Sequence, residues 1–113
     1  VSTADAYKKV DALNPHACYT DEMVKALFSR DMFMISTTIF NDFELALQIP
    51  EVNEIKGIML KSKARGAGMS GSGSAVFGVF TSSRRAKKCY DKLSESYKEV
   101  FLCKPVSDGC KVL

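Results

Sequence analysis

Four of the chain's seven glycines fall in one short window, Gly66, Gly68, Gly71 and Gly73, and an apolar run over residues 74–80 follows at once. Apart from Met69, the residues that separate them are small, so the window is poor in side chains and rich in backbone freedom. Glycine permits positive φ and close approach of the backbone to a neighbour or ligand. Ser70, Ser72 and Ser74 add hydroxyls, and successive backbone N–H groups in such a turn form an anion-binding concavity. A phosphate-bearing ligand is the guest this chemistry suits. The window lacks the lysine of a P-loop. Its Gly-x-Gly-x-x-Gly spacing, Gly66 to Gly71, follows a predicted helix instead of a strand, so the dinucleotide-binding reading fails its context. From the glycines alone, a plain helix-to-strand turn is an equal reading.

The flanking sequence predicts helices before the window and a strand–helix–strand unit after it. Ser2 and Asp5 form a helix start, with Ala6, Val10 and Leu13 on one side and a stop at Asn14-Pro15. Thr20-Asp21-Glu22 opens a second helix with an apolar stripe of Met23, Val24, Leu27 and Phe28. A third helix is predicted through Met32, Ile35, Ile39, Phe43 and Leu47 at three-to-four spacing. Pro50 suits the first turn of a fourth, with Val52, Ile55 and Met59 buried. Residues 74–80 read as a central strand, and Thr81-Ser82-Ser83 caps a helix that turns Ala86, Cys89 or Tyr90, Leu93 and Tyr97 inward. Residues 99–104 read as a second strand stopped by Pro105, before a loosely ordered tail. These two strands are either parallel neighbours or separated by a further strand. So small a sheet is poorly covered, and the chain opens at the threshold of a helix. Both features raise the expectation that a strand has been lost at the N-terminus.

At 113 residues, with 46% hydrophobic and 26% charged, the chain fits one compact domain. A net charge of +3 is too mild to argue for nucleic acid. Two basic clusters, Lys61-Ser-Lys63-Ala-Arg65 and Arg84-Arg85-Ala-Lys87-Lys88, read as two solvated helix faces. Of the four cysteines, none forms a Cys-x-x-Cys pair, so no metal site is expected. Cys89 and Cys103 sit in apolar patterns as core residues, and a reducing cytoplasm is the expected compartment. No run spans a bilayer, and no membrane partner is expected.

Met69-Ser-Gly-Ser-Gly-Ser-Ala-Val-Phe77 resembles the third conserved motif of the GHMP small-molecule kinases. Asn41-Asp42-Phe43-Glu44 followed by Pro50-Glu51, and the helix start from Ser2 to Tyr7, resemble one branch of that family. That branch phosphorylates a hydroxyl of a cytidyl-methylerythritol substrate in isoprenoid precursor synthesis. The resemblance runs in order along nearly the whole chain. It implies an α+β, ferredoxin-like C-terminal domain, with a small, mostly antiparallel sheet packed by helices. It further implies that ATP and Mg2+ are bound mainly by an N-terminal domain in cis. That domain would supply the phosphate loop, the catalytic aspartate and its lysine partner, so no catalytic residue is expected in these 113 residues and the fragment alone should be inactive.

The same resemblance assigns roles. Tyr7 corresponds to an aromatic that stacks on the cytosine ring, against the plainer reading of a half-buried helix tyrosine. Thr3 lines the substrate cleft or caps its helix. Ser70, Gly71, Ser72 and Gly73 lie against the transferring phosphoryl group, where backbone amides would stabilise negative charge. Asn41 or Asp42 is expected to tie its helix to the glycine turn. Asn41 and Glu44 are three apart and share a face, but a catalytic carboxylate pair is not expected. His16 reads as a surface loop residue, and Met23, Met32, Phe28 and Phe43 as core. Two other readings stand: a free-standing ferredoxin-like module binding a small ligand or RNA, and another kinase of the family, acting on homoserine or mevalonate. Residues 75–80 lack the leading basic residue and the stacked aromatic face of an RNA-binding strand.

Overall fold

A computed structural model describes residues 2–13 and 18–112; the predicted helix stop at Asn14-Pro15 and the loop residue His16 lie outside them. Helix α1 (Thr3–Asp11) is capped as expected: Ser2 Oγ accepts from the Asp5 N–H at 3.2 Å and donates to Asp5 Oδ2 at 2.8 Å. Helix α2 (Thr20–Ser29) ends at Arg30, whose φ of 55° closes the last turn. Its apolar stripe is not core. Ala26 is the buried residue of α2, while Val24, Leu27 and Phe28 face outward, Phe28 at 86% exposure. Met23, Met32 and Phe43 are half-buried.

The single long helix expected over residues 32–47 is two short ones, α3 (Met32–Thr37) and α4 (Asp42–Leu47). Two local effects interrupt it. Ile35, Thr37, Thr38 and Ile39 are β-branched and stiff in a helix. The hydroxyls of Ser36, Thr37 and Thr38 donate to the carbonyls of Phe33 and Met34, competing with the helix ladder. Asn41 then restarts the chain as the N-cap of α4.

Helix α5 (Pro50–Lys61) starts on its proline and buries Val52 and Met59, with Ile55 half-buried. The chain then makes a hairpin. Strand β1 (Gly66–Met69) pairs antiparallel with β2 (Val76–Val79), Gly68 opposite Phe77 and Met69 opposite Val76. The first half of the glycine window, read as loop, is therefore strand. The reason is packing: a Cβ on Gly68 would lie 2.8 Å from Ile39 Cγ2, so the bare backbone lets the chain after α3 press against the sheet.

Helix α6 (Ser83–Ser94) is capped by Ser82, whose Oγ accepts from the Arg85 N–H. It turns Cys89 and Leu93 onto Met59, and Ile55, Ala67, Val76, Phe80, Tyr97 and Val100 surround that cluster. Ala86 and Tyr90 are half-buried beside it.

Residues 99–104 do not form the expected second strand. They carry no regular secondary structure, and among the described residues no backbone hydrogen bond reaches them. Val100 rests on the core cluster, while Phe101 is 80% exposed and Cys103 is exposed, not buried. Valine, phenylalanine and leucine supply strand propensity, but a strand exists only with a partner to take its hydrogen bonds. On β2, the hydrogen bond from Ser70 N–H to Ala75 O at 2.8 Å sets the alternation. Val76 and Gly78 therefore turn their backbone groups away from β1, onto an open edge. The radius of gyration, 15.2 Å, exceeds the roughly 13 Å of a closed domain of this length.

Candidate functional site

Helix α4 is the hub of the site. Its N-cap residue, Asn41, works in two directions. Its side-chain Oδ1 accepts from the Phe43 N–H at 2.9 Å, fixing the first turn. Its Nδ2 donates to Met69 O at 2.7 Å and to Gly71 O at 2.9 Å. One amide thus starts a helix and grips the glycine–serine turn on both sides of Ser70. The expected tie between this helix and the turn is present, and Asn41 makes it. Asp42 sits half-buried in the first turn of α4.

Glu44 makes a second tie that the sequence reading missed. Its Oε1 accepts from the Met69 N–H at 2.8 Å, and its Oε2 pairs with Lys56 Nζ of α5 at 2.6 Å. Both side chains are about one-quarter exposed (24% and 22%), so the pair is partly shielded from water. The available signal was the three-residue spacing from Asn41, which puts both on the face of α4 that meets the turn.

The turn itself divides its amides. Ser70 N–H donates to Ala75 O, and Gly73 N–H donates to Ser70 O at 3.3 Å, so both are used within the turn. Among the described residues, the Gly71 and Ser72 amides have no acceptor. Of the four residues expected to face a phosphoryl group, these two have N–H groups free for an anion, whereas Ser70 and Gly73 shape the turn. Gly71 and Gly73 adopt φ of 57° and 98°, which glycine reaches without strain. The surface beside Gly71 is open, whereas a Cβ on Gly73 would meet Met69 Sδ at 3.1 Å.

Tyr7 reaches the same hub from the other side. Its ring meets Phe43 edge-to-face, with centroids 5.0 Å apart and planes at 87°. It remains 56% exposed, leaving ring surface for a further stack. Thr3 is the exposed first residue of α1, and since Ser2 makes the cap, its hydroxyl is not used there. Among the described residues, no group of three or more His, Cys, Asp or Glu side chains is placed to hold a metal ion, and no helix is long and apolar enough to cross a membrane. The donors on display, two amides and serine hydroxyls, suit phosphate oxygens and not a cation.

The fold and this site define a small α+β domain presenting a glycine–serine turn clamped by one short helix. The chain belongs to the GHMP kinase C-terminal family: the family model for the C-terminal part of GHMP kinases matches residues 23–99. It is similar to the 4-diphosphocytidyl-2-C-methyl-D-erythritol kinase of Thermoanaerobacter pseudethanolicus, 36% identical across 99% of this chain and 40% of the relative. Enzymes of the same name from Alkaliphilus metalliredigens and Clostridium kluyveri are 36% and 35% identical over 95% and 94% of the chain. The chain spans about 40% of the length of these curated relatives. No solved structure matches it.

Proposed function

We propose that the chain is the C-terminal part of a kinase that transfers the γ-phosphate of ATP to a hydroxyl of 4-diphosphocytidyl-2-C-methyl-D-erythritol. The observation that carries this reading is the two-carbonyl grip of Asn41 on the turn around Ser70. With the Met69 and Gly71 carbonyls held by Asn41, the Gly71 and Ser72 amides are left to a phosphoryl group, where fixed N–H dipoles stabilise developing charge. Tyr7, seated on Phe43 at the other side of α4, offers its open ring to the cytosine, and Thr3 lies one helical turn before it. The catalytic aspartate and lysine, the phosphate loop and the Mg2+ belong to an N-terminal domain acting in cis, and the compartment is the cytoplasm. The sequence's segment from Asn41 to Glu44, now seen gripping the turn, favours this substrate over homoserine or mevalonate.

The incomplete sheet fits the same reading. The open edge of β2 and the unpaired run over residues 99–104 leave room for a strand from the rest of a longer protein. The direct experiment compares the full-length protein with residues 1–113 alone, each given ATP, Mg2+ and the cytidyl substrate. Turnover by the first and none by the second is expected. Turnover by residues 1–113 alone would overturn the assignment of catalysis to another domain, and no turnover by the full-length protein would overturn the substrate.

A further inference from the structure

The two basic clusters that are separate in sequence converge in the fold. Lys61, Ser62 and Lys63, at the end of α5, face Arg84, Arg85, Lys88 and Lys92 of α6 across a groove of about 460 Å³. On α6, Arg84, Lys88 and Lys92 recur every four residues, and Arg85 lies three before Lys88, so the four share one face. That face adjoins the buried side carrying Cys89 and Leu93.

The groove is uncompensated. Lys56 pairs with Glu44, Lys87 with Asp91, and Lys111 with Asp108, all away from the groove lining. Among the described residues, none of the six groove cations has a carboxylate partner, and no acidic side chain lines the groove. Like charges at four-residue spacing repel one another. Arg84 and Arg85 also stand in the first turn of α6, where the helix dipole is already positive. Two solvated faces would not need to gather these charges around one depression.

We propose that this groove is a binding site for a small oligophosphate, a molecule carrying two or more linked phosphate groups. The two arginines supply planar forks for bidentate contact, the four lysines supply point charges, and Ser62 adds a hydroxyl. The volume falls within the roughly 300–1,000 Å³ of small-molecule sites. No aromatic side chain lines the groove, so it lacks the stacking platform of a single-stranded nucleic-acid site. Lys63 and Arg84 flank the outer ends of β1 and β2, opposite the turn around Ser70. Strands of four residues at about 3.4 Å per residue separate the two regions by roughly 13 Å.

The test follows backbone amide NMR shifts in the full-length protein as tripolyphosphate is added. Saturable shifts at Ser62, Lys63, Arg84 and Arg85 are expected, with affinity falling as salt rises. The double variant Arg84→Glu, Arg85→Glu should bind at this groove at least roughly tenfold more weakly, as the loss of one charge-assisted contact implies. Both positions are exposed, and an unchanged melting temperature verifies that the variant folds. Absent or non-saturating shifts at these amides, or equal shifts in the double variant, overturn the proposal. Saturation by a short single-stranded RNA at lower concentration than tripolyphosphate overturns the ligand class.

Discussion

Asn41 Nδ2 lies 2.9 Å from the carbonyl oxygen of Gly71, thirty residues along the chain, while the same side chain's Oδ1 caps α4. A side chain that does both couples the start of a helix to the shape of the glycine–serine turn. Asn41→Ala removes the cap and both carbonyl contacts. It should destabilise the full-length protein by about 2–3 kcal/mol, roughly one from the cap and the rest from the lost hydrogen bonds. Asn41→Ser keeps a capping oxygen but cannot reach the turn, so its cost should be near half of that. Urea unfolding of both variants checks the order, and turnover should fall in both.

Glu44 separates a charge effect from a hydrogen-bond effect. Glu44→Gln retains an acceptor for the Met69 N–H and loses the ion pair with Lys56; Glu44→Ala loses both. The alanine variant should cost about 2 kcal/mol, since a shielded amide and a partly buried ammonium are left without partners. The glutamine variant should cost less than half as much. Equal unfolding midpoints for the two variants would show that the Met69 contact contributes nothing.

Gly71 and Gly73 differ in what an added methyl meets. Gly71→Ala faces open space at a φ of 57° and should cost about 1–2 kcal/mol from left-handed backbone alone. Gly73→Ala adds a contact with Met69 to a φ of 98° and should cost more. On the proposed function, Gly73→Ala in the full-length protein should reduce kcat beyond what its loss of folded fraction explains. If a stabilising temperature or osmolyte restores full turnover, Gly73 serves only the fold.

Tyr7→Ala should raise KM for the cytidyl substrate by roughly five- to a hundredfold, the worth of one base stack, while Tyr7→Phe should stay near the parent value. Because Tyr7 also packs on Phe43, the melting temperature of the alanine variant must be followed alongside. An unchanged KM in Tyr7→Ala removes the stacking role.

Residues 99–104 provide a test of the open sheet. In the full-length protein alternate amides within residues 99–104 should exchange slowly with solvent, protected by a new neighbour strand; in residues 1–113 alone they should exchange fast. Fast exchange at all of these amides in both would show that no strand pairs with residues 99–104.

The sequence was legible wherever local chemistry suffices. Ser2 with Asp5, Pro50 and Ser82 marked three helix starts because a cap needs only residues within one turn. Cys89 and Leu93 were readable as core from helical periodicity. The glycine turn was legible as a turn, and its likeness to a kinase family set the expectation of a phosphate partner. Periodicity misled at residues 32–47, where β-branched residues and back-bonding hydroxyls outweighed an apolar repeat, and at Phe28, which none of the described residues buries.

What the sequence alone determined was thus the inventory: which segments are helical, where the backbone must turn, and which residue types a phosphate could use. The tertiary structure decided which of them act together. It seated Asn41 and Glu44 on a turn nearly thirty residues away, gave Gly66–Met69 to a strand, and gathered two basic clusters around one groove. It also left residues 99–104 unpaired despite their composition. The reason is common to all of these. Propensity and capping act over a few residues, whereas hydrogen bonds between distant backbone groups, strand pairing and charge convergence depend on which elements the fold makes neighbours.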